Sequence, residues 1–162
     1  MRKLKRKFSK PRKPWEKQRI LDEKALISEY AYKSKREIWK MKSRVKEFRD
    51  FAKQLVSIRS AQEAKEKDEF LKGLYRKGLV KENAEVEDAL ALTVRDLSER
   101  RLQTQVFRKG LAKTPNQARQ FIVHGHVFVG DKKVTAPSRI VNRDEEALIK
   151  VVGVKVLSGG KK

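Results

Sequence analysis

Between residues 38 and 55, apolar side chains recur at alternating intervals of three and four: Ile38, Met41, Val45, Phe48, Ala52 and Leu55. This spacing gathers them on one face of an α-helix. Ser34 and Glu37, just ahead of the run, have the spacing of a capping box, so a long helix is predicted to open there. Its other face carries Lys40, Lys42, Arg44, Lys46, Arg49 and Lys53, mixed with Glu47 and Asp50. A second helix is predicted over 60–77, with Leu71, Leu74 and Tyr75 inward and Gly78 as its C-cap. Residues 79–92 read as a connection.

The pattern changes at Thr93. Thr93 and Asp96 resemble a second capping box, ahead of a helical segment that runs through Leu102, Val106 and Phe107 to a stop at Gly110. Thr114 as N-cap, Pro115 at the first helical position and Gln117 at the third form another start signal. Ala118, Phe121 and Ile122 give that helix its inward face, and Gly125 its exit. Strands are then predicted at 126–129 and 132–135 around a turn at Gly130 and Asp131, with a further strand at 147–152. The predicted fold class is α+β: a helical N-terminal half, then a module of two helices packed on a small antiparallel sheet.

The first twenty residues have a different make-up. Arg2, Lys3, Arg6, Lys7 and Arg12, with Pro11 and Pro14 among them, cannot build a core and read as an extended arm that orders on binding. Trp15 beside this tract can stack on a base or anchor the arm to the body.

Lys and Arg number 42 against 21 acidic residues, a net charge of +21. The excess is local: +9 over 1–20, +5 over 21–60, −2 over 61–98 and +9 over 99–162. Such a surplus repels itself unless a polyanion neutralises it. Nucleic acid does so by giving up condensed counterions, whereas a membrane surface needs an apolar anchor as well. Nucleic acid is therefore the expected partner, and no membrane is. With 38% hydrophobic and 39% charged residues, the core is expected to be modest and to lean on that partner for order. The absence of cysteine removes disulfides, thiolate-bound zinc and thiol catalysis.

Catalysis has no visible machinery. His124 and His126 form no recognisable metal pattern with nearby acids such as Asp131. Gly-rich phosphate loops and a Ser nucleophile elbow are missing from the sequence, so no enzyme activity and no cofactor are expected. The bases of the second half are better placed: Arg100, Arg101, Arg108, Lys109 and Lys113 cluster on one helix and its turn, and Arg119 lies one turn into the next. Helix spacing predicts one positive patch from them, and 114–116 offers free backbone N–H groups to a phosphate.

The segment Glu99-Arg-Arg-Leu-Gln-Thr-Gln-Val-Phe-Arg-Lys-Gly-Leu-Ala, followed by Thr114, Ala118-Arg119-Gln120, 121–127 and Val129-Gly130, resembles the S4-type RNA-binding domain. Pro14-Trp15, the helix opening Arg36-Glu-Ile-Trp-Lys40 and the long helical pair are similar to the archaeal and eukaryotic branch of the ribosomal protein S4 family. One departure is Val129, where the familiar turn residue before Gly130 is Asn. The resemblance implies an arm at 1–20, a helical domain at 21–98, an S4-type module at 99–155 and a basic tail at 156–162. It further implies a cytoplasmic protein of the ribosome that binds 16S-type ribosomal RNA early in small-subunit assembly. Neighbouring small-subunit proteins, and messenger RNA at the entry channel, are the other partners it implies. The RNA-facing residues expected on these grounds are Arg101, Arg108, Arg119 and His124, with Arg100, Lys109, Lys113, Lys132, Lys133, Arg36, Lys40 and the arm residues beside them. Rival readings are an S4-like assembly factor of the U3 nucleolar type, a standalone S4-domain regulator and an RNA-modifying enzyme.

Overall fold

The computed structural model describes residues 7–57 and 61–153, the side chains of 57 and 61–64 excepted. Composition predicts an arm reaching residue 20, but helix α1 (Lys17–Tyr30) already begins at Lys17. Arg19 ties this stretch together: its Nη1 donates to Glu23 Oε1 and its Nη2 to the Pro14 carbonyl, both at 2.7 Å.

The predicted apolar stripe forms the buried face of α2 (Lys35–Ser57), where Ile38 and Ala52 are fully buried and Met41, Val45 and Leu55 nearly so. At ~1.5 Å per residue the helix is long enough to serve two cores. Its first half packs with Leu26, Tyr30, Tyr32 and Leu97, and its second half with Leu74, Val80, Val86 and Ala89. Each such side chain, once fully buried, contributes ~1.5–3 kcal/mol relative to exposure. The Ser34 and Glu37 capping box is not what the Glu37 carboxylate serves. The Glu37 N–H donates to the Ser34 carbonyl at 3.1 Å, while the carboxylate accepts from Arg101 and Arg119 across the molecule.

Helix α3 (Ala61–Arg76) ends as predicted, with Gly78 at φ 70° and the Leu79 N–H on the Leu74 carbonyl at 3.1 Å. The start expected at Ser60 lies outside the described residues. The predicted connection at 79–92 contains a further helix, α4 (Val86–Ala91), opened by a capping box of Glu85 and Asp88. Its Val86 and Ala89 are buried. Six residues are too few to show a helical period, which is why spacing alone misses it.

The capping box of Thr93 and Asp96 forms, but the single helix predicted after it is two: α5 (Val94–Glu99) and α6 (Leu102–Arg108). At the break Arg101 makes an antiparallel bridge to Ile140, the Leu102 N–H donates to the Arg139 carbonyl at 2.8 Å, and the Val141 N–H to the Arg100 carbonyl at 2.9 Å. A returning segment of chain thus takes backbone groups that a continuous helix would have used itself. Helix α7 (Pro115–Val123) starts as predicted, with the Gln117 N–H on Thr114 Oγ1 at 3.1 Å.

The sheet has the order β2-β1-β3, built from β1 (Val127–Val129), β2 (Lys132–Lys133) and β3 (Ile149–Val151), all antiparallel. β2 is shorter than the predicted 132–135, although the buried Val134 still donates its N–H to the Val127 carbonyl at 3.0 Å. One unforeseen helical turn, α8 (Arg143–Glu146), precedes β3 and has no apolar position to announce it. Leu102, Val106, Ala118 and Ile122 from α6 and α7 close over Val127 and Val129 of the sheet.

Candidate nucleic-acid interface

The helical half and the C-terminal module are joined by several contacts, such as Arg143 donating to the Tyr75 and Val80 carbonyls at 2.9 and 2.8 Å, and among them one carboxylate gathers two guanidinium groups. Glu37 Oε2 accepts from Arg101 Nη2 at 2.9 Å, and Glu37 Oε1 from Arg119 Nη2 at 2.9 Å. Arg119 Nη1 reaches Glu37 Oε2 at 3.3 Å and Gln103 Oε1 at 3.4 Å, and Gln103 in turn donates to the Pro115 carbonyl at 3.0 Å. The Arg101 side chain is 1% exposed and its guanidinium lies 4.2 Å over the Tyr32 ring. Burial by itself would raise the Glu37 pKa. Hydrogen bonds from Arg119 and Arg101, with their charges, outweigh it and hold the carboxyl below the ordinary glutamate value.

Helix spacing predicts one positive patch from Arg100, Arg101, Arg108, Lys109, Lys113 and Arg119, but the structure separates them. Arg101 is taken out of solvent, so it is a tie between the halves and not an RNA-facing cation. Arg100 is also turned inward, donating to Glu146 Oε2 at 2.8 Å and to the Val141 carbonyl at 3.0 Å. The cause is the break between α5 and α6, which faces fixed acceptors on both sides that a planar guanidinium can satisfy. Arg119 is a quarter exposed at the edge of the same junction. Arg108 is half exposed, paired with Glu99 at 2.8 Å. Lys109, Lys113 and His124 are exposed around α6 and α7, as are Lys132 and Lys133 on β2.

Cations from both halves and from the arm do converge on a cleft of about 310 Å³. Lys7, Glu37, Lys40, Met41, Arg44, Arg119, Pro137 and Ser138 line it. Arg36, Lys40 and Arg44 stand four residues apart on α2, all exposed, and so form one stripe leading along the helix. The arm is seated beside this stripe: the Phe8 ring lies 5.9 Å from that of Trp39, and the Ser9 N–H donates to Ser43 Oγ at 3.2 Å. Trp39 is itself fixed by its Nε1, which donates to the buried Glu23 at 3.0 Å. Farther along the arm Arg12 is exposed, and Trp15 is 89% exposed. Arg2, Lys3 and Arg6 lie outside the described residues.

Arg44, Pro137 and Ser138 were not among the site residues expected from sequence. Arg44 carries a legible signal, one turn beyond Lys40, whereas the 137–138 loop has no period and reaches the cleft only through the fold. Among the described residues no group of three or more His, Cys, Asp or Glu is placed to hold a metal. None of their helices is long and apolar enough to cross a membrane.

Residues 100–146 match the S4 domain family. Over 148 residues the chain is 47% identical to the small ribosomal subunit protein uS4 of Ignicoccus hospitalis, covering 91% of this chain and 89% of that protein. The chain belongs to the uS4 family. The uS4 protein of Nanoarchaeum equitans is 48% identical over 91% of this chain and 83% of its own length, and that of Methanospirillum hungatei 39% over 91% and 84%. The likeness to uS4 therefore extends well beyond the S4 domain into the helical half that carries Glu37 and the α2 stripe.

Proposed function

We propose that this chain is a structural constituent of the small ribosomal subunit, in the cytoplasm, and a primary binder of 16S-type ribosomal RNA. The observation that carries the reading is the cleft, whose cations come from the arm, from α2 and from the edge of the C-terminal module. A-form RNA closes its major groove to side chains, so a protein that orients folded RNA does so through phosphates and 2′-hydroxyls. Lys40 and Arg44 are the phosphate contacts at the cleft, with Arg36 extending the line and Lys7 entering from the arm. Arg108, Lys109, Lys113, His124, Lys132 and Lys133 form a second exposed set on the module, and Arg12 and Trp15 act where the arm leaves the body. Because the two halves are tied through Glu37, RNA segments held by each are fixed in relative orientation, which is the chemistry of nucleating assembly. Neighbouring small-subunit proteins, and messenger RNA at the entry channel, complete the proposed surroundings.

Crosslinking and sequencing of bound RNA across a sucrose gradient tests this. Recovery of small-subunit ribosomal RNA from mature subunits and translating ribosomes is the expected result. Recovery with precursor RNA alone would make the chain an assembly factor, and enrichment of other RNAs would overturn the ribosomal reading.

A further inference from the structure

Antiparallel register sets Phe128 of β1 directly opposite Lys133 of β2 on one side and Lys150 of β3 on the other. Residues facing one another across antiparallel strands share a face of the sheet. Val127 and Val129 are buried, so the alternate residue Phe128 points to the opposite, outer face, where it is partly exposed. It lies outside the core cluster that holds its two neighbours. Both lysines are exposed, and the Lys133 side chain runs back over Gly125.

From this row of lysine, phenylalanine and lysine we infer that the outer face of the sheet binds an unpaired nucleotide of RNA, its base stacked on Phe128 and its phosphates beside Lys133 and Lys150. The inference rests on the RNA-binding reading but concerns a surface apart from the cleft. A partly exposed ring with flanking cations matches the two parts of a single-strand site, a π-face for the base and positive charge for the backbone. A strand pitch of ~4.8 Å puts the lysines next to the ring without requiring them to cover it.

The test uses the full chain and two probes: a 12-nucleotide single strand carrying 5-iodouridine and a 12-base-pair RNA duplex. Irradiation of the single-strand complex should leave a covalent adduct on Phe128, located by mass spectrometry. Phe128→Leu should weaken the single-strand complex about tenfold and leave the duplex complex within about twofold, whereas Phe128→Tyr should keep both. Adducts confined to other residues, or an equal loss on both probes, would overturn the inference, and the wild-type adduct decides the matter if Phe128→Leu does not fold. Lys40→Ala with Arg44→Ala separates the two readings. That pair should lose duplex affinity and keep the adduct; duplex affinity unchanged would count against the cleft alone.

Discussion

Glu37 shows how much one carboxylate can decide. Two guanidinium groups share it, and one of them, Arg101, has no access to water. Removing a partner from a buried ion pair leaves an uncompensated charge, which costs more than the pair itself contributes. Glu37→Gln should therefore destabilise the protein by ~3 kcal/mol in urea unfolding. Arg119→Ala, at a site a quarter exposed, should cost ~1 kcal/mol and leave a folded protein. The same residue sets a pH dependence. A carboxyl whose pKa is depressed by folding adds stability above its unfolded value, ~4.3 for Glu, and loses that stability as pH falls through the folded value. Glu37 carries this sign, as does Glu23, where burial is outweighed by Arg19, Trp39 and Lys42. Unfolding midpoints should stay level near neutral pH and decline below about pH 4.3, with a shallower decline in Glu37→Gln. An acid limb identical in the two proteins would show that the junction does not titrate with folding.

At the level of single elements, two helix ends compare the cost of geometry with the cost of contact. Gly78 and Gly110 close α3 and α6 with φ near +70°, at 70° and 71°. A Cβ at Gly110 would meet nothing within 4 Å, whereas at Gly78 it would sit 2.7 Å from the Arg100 guanidinium carbon. Gly110→Ala should cost ~1 kcal/mol from backbone strain alone. Gly78→Ala should cost more, because Arg100 cannot withdraw without leaving Glu146 and the Val141 carbonyl, and thermal unfolding of the two variants would rank them. Long elements such as α2 were legible because six apolar positions agree on one face. The short α4 and α8 were not, since neither spans enough residues to establish a period. Arg101 misled for another reason. Whether its guanidinium faces water or a carboxylate depends here on a residue 64 positions away, a distance that local spacing does not record.

For the whole molecule, charge and shape act together. If the cleft, the module surface and the arm neutralise on the order of ten phosphates, log K should fall against log salt with a slope of roughly −7 to −9. Lys40→Ala with Arg44→Ala should reduce the magnitude of that slope by about two, one for each phosphate contact removed. Filter binding to small-subunit RNA over a salt series measures both, and a slope unaltered by the double substitution would place the phosphate contacts elsewhere. The net charge of +21 foretold the class of partner, but the convergence of arm, α2 and module on one cleft appears only in three dimensions.

The junction also has a schedule. Glu37 is synthesised 64 residues ahead of Arg101 and 82 ahead of Arg119. At ~5–20 residues per second, the carboxylate waits roughly 3–16 s for the guanidinium groups that will hold it. Through that interval the basic stripe of α2 can emerge into solvent while the segment that closes the junction is still being made. A growing chain thus has the basic stripe of α2 in place before its two halves are joined, and the joining waits on the synthesis of Arg101 and Arg119.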